Sequence, residues 1–136
     1  MSVQQILRHL ERLIHIHQEL LDLAKRKKQV LIDGLVDELI TITDAETEKA
    51  ALVASEERKM LQCANDFLRE KGLSPGNSPR LNDIVKLVFQ PQELEALQTA
   101  QQRLTKMIDE LKQVNELNRQ LIEQSLAFVN YSIDLM

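Results

Sequence analysis

The chain has one cysteine, three glycines, three prolines, three phenylalanines, one tyrosine and no tryptophan, and each scarcity closes off a class of protein. Cys63 standing alone excludes an internal disulfide and any multi-cysteine metal or iron–sulfur site, and reads as a small core residue. Aromatics at 3% leave no stacking platform for single-stranded nucleic acid, and a net charge of -4 opposes a phosphate backbone, so no nucleic-acid partner is expected. Long apolar runs are also missing. The first 24 residues are cut by Arg8, Glu11, Arg12, Glu19 and Asp22, which fits neither a signal peptide nor a membrane span, so no membrane insertion and a cytoplasmic location are expected. Without a Gly-rich phosphate loop or a nucleophile elbow, enzymatic activity and a cofactor are not expected either.

What is abundant is Leu, Glu, Gln, Lys and Ala, the residues that lose least on entering a helix. With so few breaks, 136 residues are expected to form a few long helices in one domain spanning 1–136: an all-α, elongated antiparallel bundle of three long helices plus one short one. Residues 2–32 carry Val3, Ile6, Leu10, Leu13, His17, Leu20, Ala24, Lys27 and Leu31 at 3–4 spacing. Leu7, Ile14 and Leu21 widen that stripe on one side and Ile16, Leu23 and Val30 on the other, the pattern of a central helix with two neighbours. Asp33-Gly34 ends it, with Lys25, Arg26, Lys27 and Lys28 placed near the negative end of the helix dipole and read as a solvated helix end.

A second helix over 35–71 keeps the spacing through Leu35, Leu39, Ile42, Val53, Met60, Cys63 and Phe67, but Glu46, Lys49 and Glu56 interrupt it, so its middle is thinly apolar. Residues 72–79 hold two of the three prolines and two of the three glycines and read as the connecting loop. Ser78 followed by Pro79 is a good N-cap and N1 pair for a short helix ending near 89. From Pro91 to the end nothing breaks a last helix, in which Leu97, Ala100, Leu104, Met107, Leu111, Val114, Asn118, Leu121, Ser125, Phe128, Ser132 and Leu135 form a heptad-like stripe. Residues 1–32 carry 6 basic and 3 acidic side chains, residues 33–72 carry 5 and 10, and residues 91–136 carry 4 and 7. Those opposite signs favour the first helix packing against the other two.

His9, His15 and His17 are the only histidines. His15 and His17 project to different sides of a helix and cannot share a metal, whereas His15 and Glu19, one turn apart, can pair. No Glu-x-x-His repeat is present, so no metal site is expected. The acidic residues alternate with Lys and Arg along helix faces, as solvated surfaces do.

The last helix is the most informative segment, because its stripe mixes Leu121 and Phe128 with Asn118, Ser125 and Ser132. A permanently buried seam is usually more apolar, since each unpartnered buried amide or hydroxyl costs about 1 to 3 kcal/mol. A partner-binding surface of Leu111, Val114, Asn118, Leu121, Ser125, Phe128 and Leu135 is one reading, with Tyr131 beside it as an aromatic anchor. The other reading is that the polar groups hydrogen-bond inside the bundle and fix its register.

Asn115 and Asn118 followed by Leu121, Ile122, Ser125, Leu126 and Phe128 in a long final helix resemble the FlgN family. Leu20, Leu21, the basic run Lys25 to Lys28, Leu31, Asp33-Gly34, Leu39, Glu46 and Glu56-Glu57-Arg58 resemble that family's N-terminal helical hairpin. The resemblance implies a flagellar type III export chaperone. Its implied partners are the C-terminal helices of the hook-associated junction proteins FlgK and FlgL, kept from self-association and delivered to the flagellar export apparatus. The rival readings are a chaperone for another export substrate and an adaptor coiled coil that only forms a homo-oligomer, which calls for a more apolar C-terminal seam.

Overall fold

The computed structural model describes residues 2–73 and 81–135, and these contain four helices: α1 (Ser2–Asp33), α2 (Val36–Glu70), α3 (Leu81–Val85) and α4 (Pro91–Leu135). The described chain is all-α, a helical bundle of three long helices and one short one. The ends of α1 and α2 follow from glycine. Gly34 and Gly72 take φ of 69° and 77°, the left-handed conformation that only glycine adopts cheaply. Leu35 N–H then donates to Val30 O at 3.1 Å and Leu73 N–H to Leu68 O at 2.9 Å, satisfying carbonyls that the helix leaves open. From residue 74 on, the expected loop and the Ser78–Pro79 cap lie outside the described residues. The short helix expected to reach about residue 89 stops at Val85. Leu87 and Val88 close three-residue turns onto Ile84 and Val85, and Pro91 restarts the helix at the position where a missing N–H costs nothing.

α1 lies between α2 and α4, which make no close backbone approach to one another among the described residues. Ion pairs between His9 and Glu56, Glu19 and Lys49, and Arg26 and Glu38 show that α2 runs antiparallel to α1. Arg103 reaching Glu11 at 3.5 Å and Asn118 reaching Ala24 O at 2.9 Å show that α4 runs parallel to it, giving an up-down-up order. The largest cluster of buried apolar side chains lies at one end, the base, and Leu21, Ala24, Val30 and Ile42 continue the buried apolar seam toward the turn end. At the base Ile6, Leu10 and Ile14 of α1 meet Ala64 and Phe67 of α2, Ile84 and Val88 from α3 and its following turn, and Leu97 and Ala100 of α4. Cys63 is half-buried against this core, and burial followed by the nearby Asp66 charge pushes its thiol pKa up. No described helix is long and apolar enough to cross a membrane.

Above the base the α1–α2 interface mixes buried apolar residues such as Val30 and Ile42 with ion pairs made by the residues that interrupt the α2 stripe. Glu56 accepts from His9 Nδ1 at 2.7 Å and lies 3.6 Å from Arg12. Lys49 pairs with Glu19, and Lys27 donates to Glu46 at 3.0 Å. Glu46, Lys49 and Glu56 therefore face α1 although they are charged. Lys25, Arg26 and Lys28 are exposed to solvent as expected, but the run does not act on the dipole: α1 continues to Asp33 with no basic residue in its last turn, and dipole effects fade within one turn. Arg26 and Lys27 instead reach across to Glu38 and Glu46.

Candidate partner-binding surface

α4 is 45 residues long, about 67 Å at 1.5 Å per residue, against about 48 Å for α1. With Asn118 beside Ala24, the same register puts Ala127 level with Asp33, where α1 ends. Residues 128–135 consequently run past the hairpin turn by about 12 Å. Among the described residues no helix runs beside this overhang, and Phe128, Tyr131, Ile133 and Leu135 are exposed.

A second geometric effect acts on the whole upper half of α4. Ala100, Met107, Val114, Leu121, Phe128 and Leu135 share one heptad position, and seven residues of a straight helix fall about 20° short of two turns. Over the five heptads from Ala100 to Leu135 the position rotates by about 100° away from α1. Exposure follows that rotation: Ala100 is 2% exposed, Met107, Val114 and Leu121 are half-buried, and Phe128 and Leu135 reach 71% and 70%. Leu117, four residues before Leu121, and Tyr131, three after Phe128, fall on the same flank at 45% and 63% exposure. The single stripe expected from sequence is thus two. One, through Leu97, Leu104, Leu111 and Asn118, keeps toward α1; on the other, Leu117, Phe128, Tyr131 and Leu135 are exposed and Leu121 is half-buried.

The expected site residues divide between these stripes. Leu111 and Val114 are half-buried on the α1 side. Asn118 is 2% exposed, and its Nδ2 donates to Ala24 O at 2.9 Å while its Oδ1 has no partner. Ala24 permits this approach because its side chain is a single methyl group, itself fully buried. Asn118 is therefore engaged within the chain, as the register reading holds. Ser125 is exposed and its hydroxyl donates to Leu121 O of its own helix at 2.9 Å. Leu121, Phe128, Tyr131 and Leu135 are brought together. Leu117 belongs with them and was missed because it lies off the heptad; its spacing to Leu121 was the available signal.

At the same end of the bundle, Ile32, Leu35, Val36 and Ile40 around the hairpin turn are also exposed. Elsewhere, an apolar notch lined by Ile6, Met60, Leu61, Ala64, Leu81 and Ile84 with Glu57 encloses about 220 Å³, room for a side chain but not for a helix. His15 and Glu19 pair at 2.8 Å as their spacing indicates. His17 is buried, and its Nδ1–H donates to Leu13 O at 2.7 Å. Among the described residues no three His, Cys, Asp or Glu side chains converge as metal ligands.

The fold and this surface define a helical protein built around one central helix, with an uncovered amphipathic flank on its longest one. The chain belongs to the FlgN family of flagellar export chaperones, whose family model, described as FlgN protein, matches residues 1–136. It is 30% identical over 136 residues to a Bacillus subtilis (strain 168) protein described as "Uncharacterized protein YvyG", covering all of this chain and 81% of that one. No solved structure matches.

Proposed function

We propose that this chain is the cytoplasmic chaperone of the hook-associated junction proteins FlgK and FlgL, binding their C-terminal helices along the exposed flank of α4. Membership of the FlgN family supports the chaperone role. The observation that carries the site is the exposure of Leu117, Phe128, Tyr131 and Leu135 on one flank, with half-buried Leu121 among them. A substrate helix that later packs in a filament has an apolar stripe, and a second amphipathic helix covers it without chemistry or nucleotide. Exposed large residues with few charges between them are suited to such a contact, with Phe128 and Tyr131 as aromatic anchors. Release to the export apparatus requires a reversible contact, which a single uncovered flank gives more readily than a closed groove.

The test is calorimetric titration of the protein with peptides spanning the C-terminal helices of FlgK and FlgL from the same organism. One-to-one binding is expected, weakened at least tenfold in a Leu121→Ala, Phe128→Ala double variant. No binding to either peptide removes the junction-protein assignment and leaves another flagellar substrate. A stable homo-oligomer that buries the flank and ignores both peptides supports the adaptor coiled coil instead.

A further inference from the structure

At the base of the bundle the core is open on one side. Ile6 of α1, Met60, Leu61 and Ala64 of α2, and Leu81 and Ile84 of α3 surround an apolar notch of about 220 Å³. Ile6, Ala64 and Ile84 are buried, and Leu61 is exposed at the rim. The local sequence makes this opening in two ways. α3 is five residues long, little more than one turn, so it covers only part of the α2 face that Glu57, Met60, Leu61 and Ala64 share by their 3–4 spacing. On that face Ala64 offers a single methyl group where Met60 and Leu61 offer long side chains. The volume lies below the roughly 300 to 1,000 Å³ of a cofactor or small-molecule site and suits one side chain.

Glu57 is the one charged residue that lines the notch; it is exposed and, among the described residues, has no hydrogen bond or ion pair. Its neighbour Glu56 turns to α1, where His9 and Arg12 hold it, and Arg58 lies on another side of α2 with Gln62, Asp66 and Arg69. We infer that the notch docks one apolar side chain of a partner peptide, of Leu or Met size, with a Lys or Arg next to it that meets Glu57. An acidic neighbour would be repelled, and a purely apolar segment would cover Glu57 without giving it a partner. A single anchor in a pocket is a common way for a peptide to be held. The site is separate from the α4 flank: from Ala24, which Asn118 touches, back to Ile6 is about 27 Å along α1. Partners at the notch and on the flank can therefore be bound together.

The test follows the methyl signals of Ile6, Met60, Ala64 and Ile84 in the full chain by NMR while acetylated, amidated peptides Ser-Gly-Leu-Lys-Gly-Ser, Ser-Gly-Leu-Glu-Gly-Ser and Ser-Gly-Ala-Lys-Gly-Ser are added. The Leu-Lys peptide is expected to shift these signals saturably, and the other two to bind about fivefold or more weakly, the scale of an exposed ion pair and of a lost anchor. Glu57→Gln, at an exposed position, is expected to bind the Leu-Lys and Leu-Glu peptides equally. Ala64→Leu is expected to fill the notch, raising the melting temperature and abolishing binding. Equal binding of the Leu-Lys and Leu-Glu peptides by the parent chain, no saturable shift with any peptide, or a lowered melting temperature in Ala64→Leu overturns the proposal. A Phe128→Ala, Leu135→Ala variant is expected to bind the Leu-Lys peptide as the parent does. Loss of binding there assigns the peptide to the α4 flank and also overturns the proposal, whereas failure of the FlgK and FlgL peptides to bind leaves the notch result standing.

Discussion

Asn118 illustrates how one buried polar residue differs from its apolar neighbours. Its Nδ2 binds a helix carbonyl of α1, but its Oδ1 is buried without a partner. Truncation to Ala removes a hydrogen bond and leaves a cavity, so Asn118→Ala is expected to cost about 1 to 2 kcal/mol in urea denaturation. Asn118→Leu replaces the orphaned oxygen by apolar volume and is expected to be neutral or stabilising by up to about 1 kcal/mol. Equal losses in the two variants would show that the hydrogen bond itself carries the stability. Glu56 is the corresponding case among charged residues. Burial raises its pKa, but the His9 hydrogen bond and the charges of His9, Lys59 and Arg12 outweigh burial and hold it below the ordinary glutamate value. A carboxyl depressed in the folded state stabilises above its unfolded pKa of 4.5, and that contribution is lost as pH falls through the lower, folded value. Melting temperatures measured from pH 6 down to pH 3 are expected to fall less steeply in Glu56→Gln than in the parent chain.

At the level of the helices, α4 has two parts with different work. Its lower half closes the core through Leu97 and Ala100, while residues 128–135 extend beyond α1. Removing residues 128–136 is expected to change the unfolding free energy by less than about 1 kcal/mol, since exposed side chains contribute little to the fold. The same truncation is expected to abolish binding to the FlgK and FlgL peptides. A large loss of stability would mean that the overhang is packed in solution. The α1–α2 hairpin is divided differently, with apolar contacts at the base and apolar contacts mixed with ion pairs above. Lys27 and Glu46 are each 18% exposed at the side chain, so a double-mutant cycle is expected to find a coupling of about 0.5 to 1 kcal/mol that declines with salt.

Over the whole molecule, stability is graded along the long axis. The base has the closed core; the turn end has ion pairs, exposed Val36 and Ile40, and the α4 overhang. Hydrogen exchange is expected to be slowest in residues 6–14, 64–68 and 97–107 and fastest in residues 36–40 and beyond 123, because regions with few buried contacts open locally at low cost. Uniform protection would contradict this gradient.

The four helices were legible in the sequence because each depends on local information: apolar spacing, Gly34 and Gly72 as terminators, and Pro91 as a starter. The central place of α1 was legible too, since an apolar face widened on both sides has to be covered twice. Glu46, Lys49 and Glu56 read as interruptions because their partners, Lys27, Glu19 and His9, lie 19, 30 and 47 residues away, and no local pattern identifies them. The register of α4 on α1 was equally hidden, and it decided which seam residues are covered. A heptad list treats Asn118 and Phe128 as equivalent. Only the packed helices show that Asn118 remains against Ala24 while the end of α1 at Asp33 leaves Phe128 in solvent. Local chemistry determined the elements; the relative length, direction and register of helices distant in sequence determined the surface.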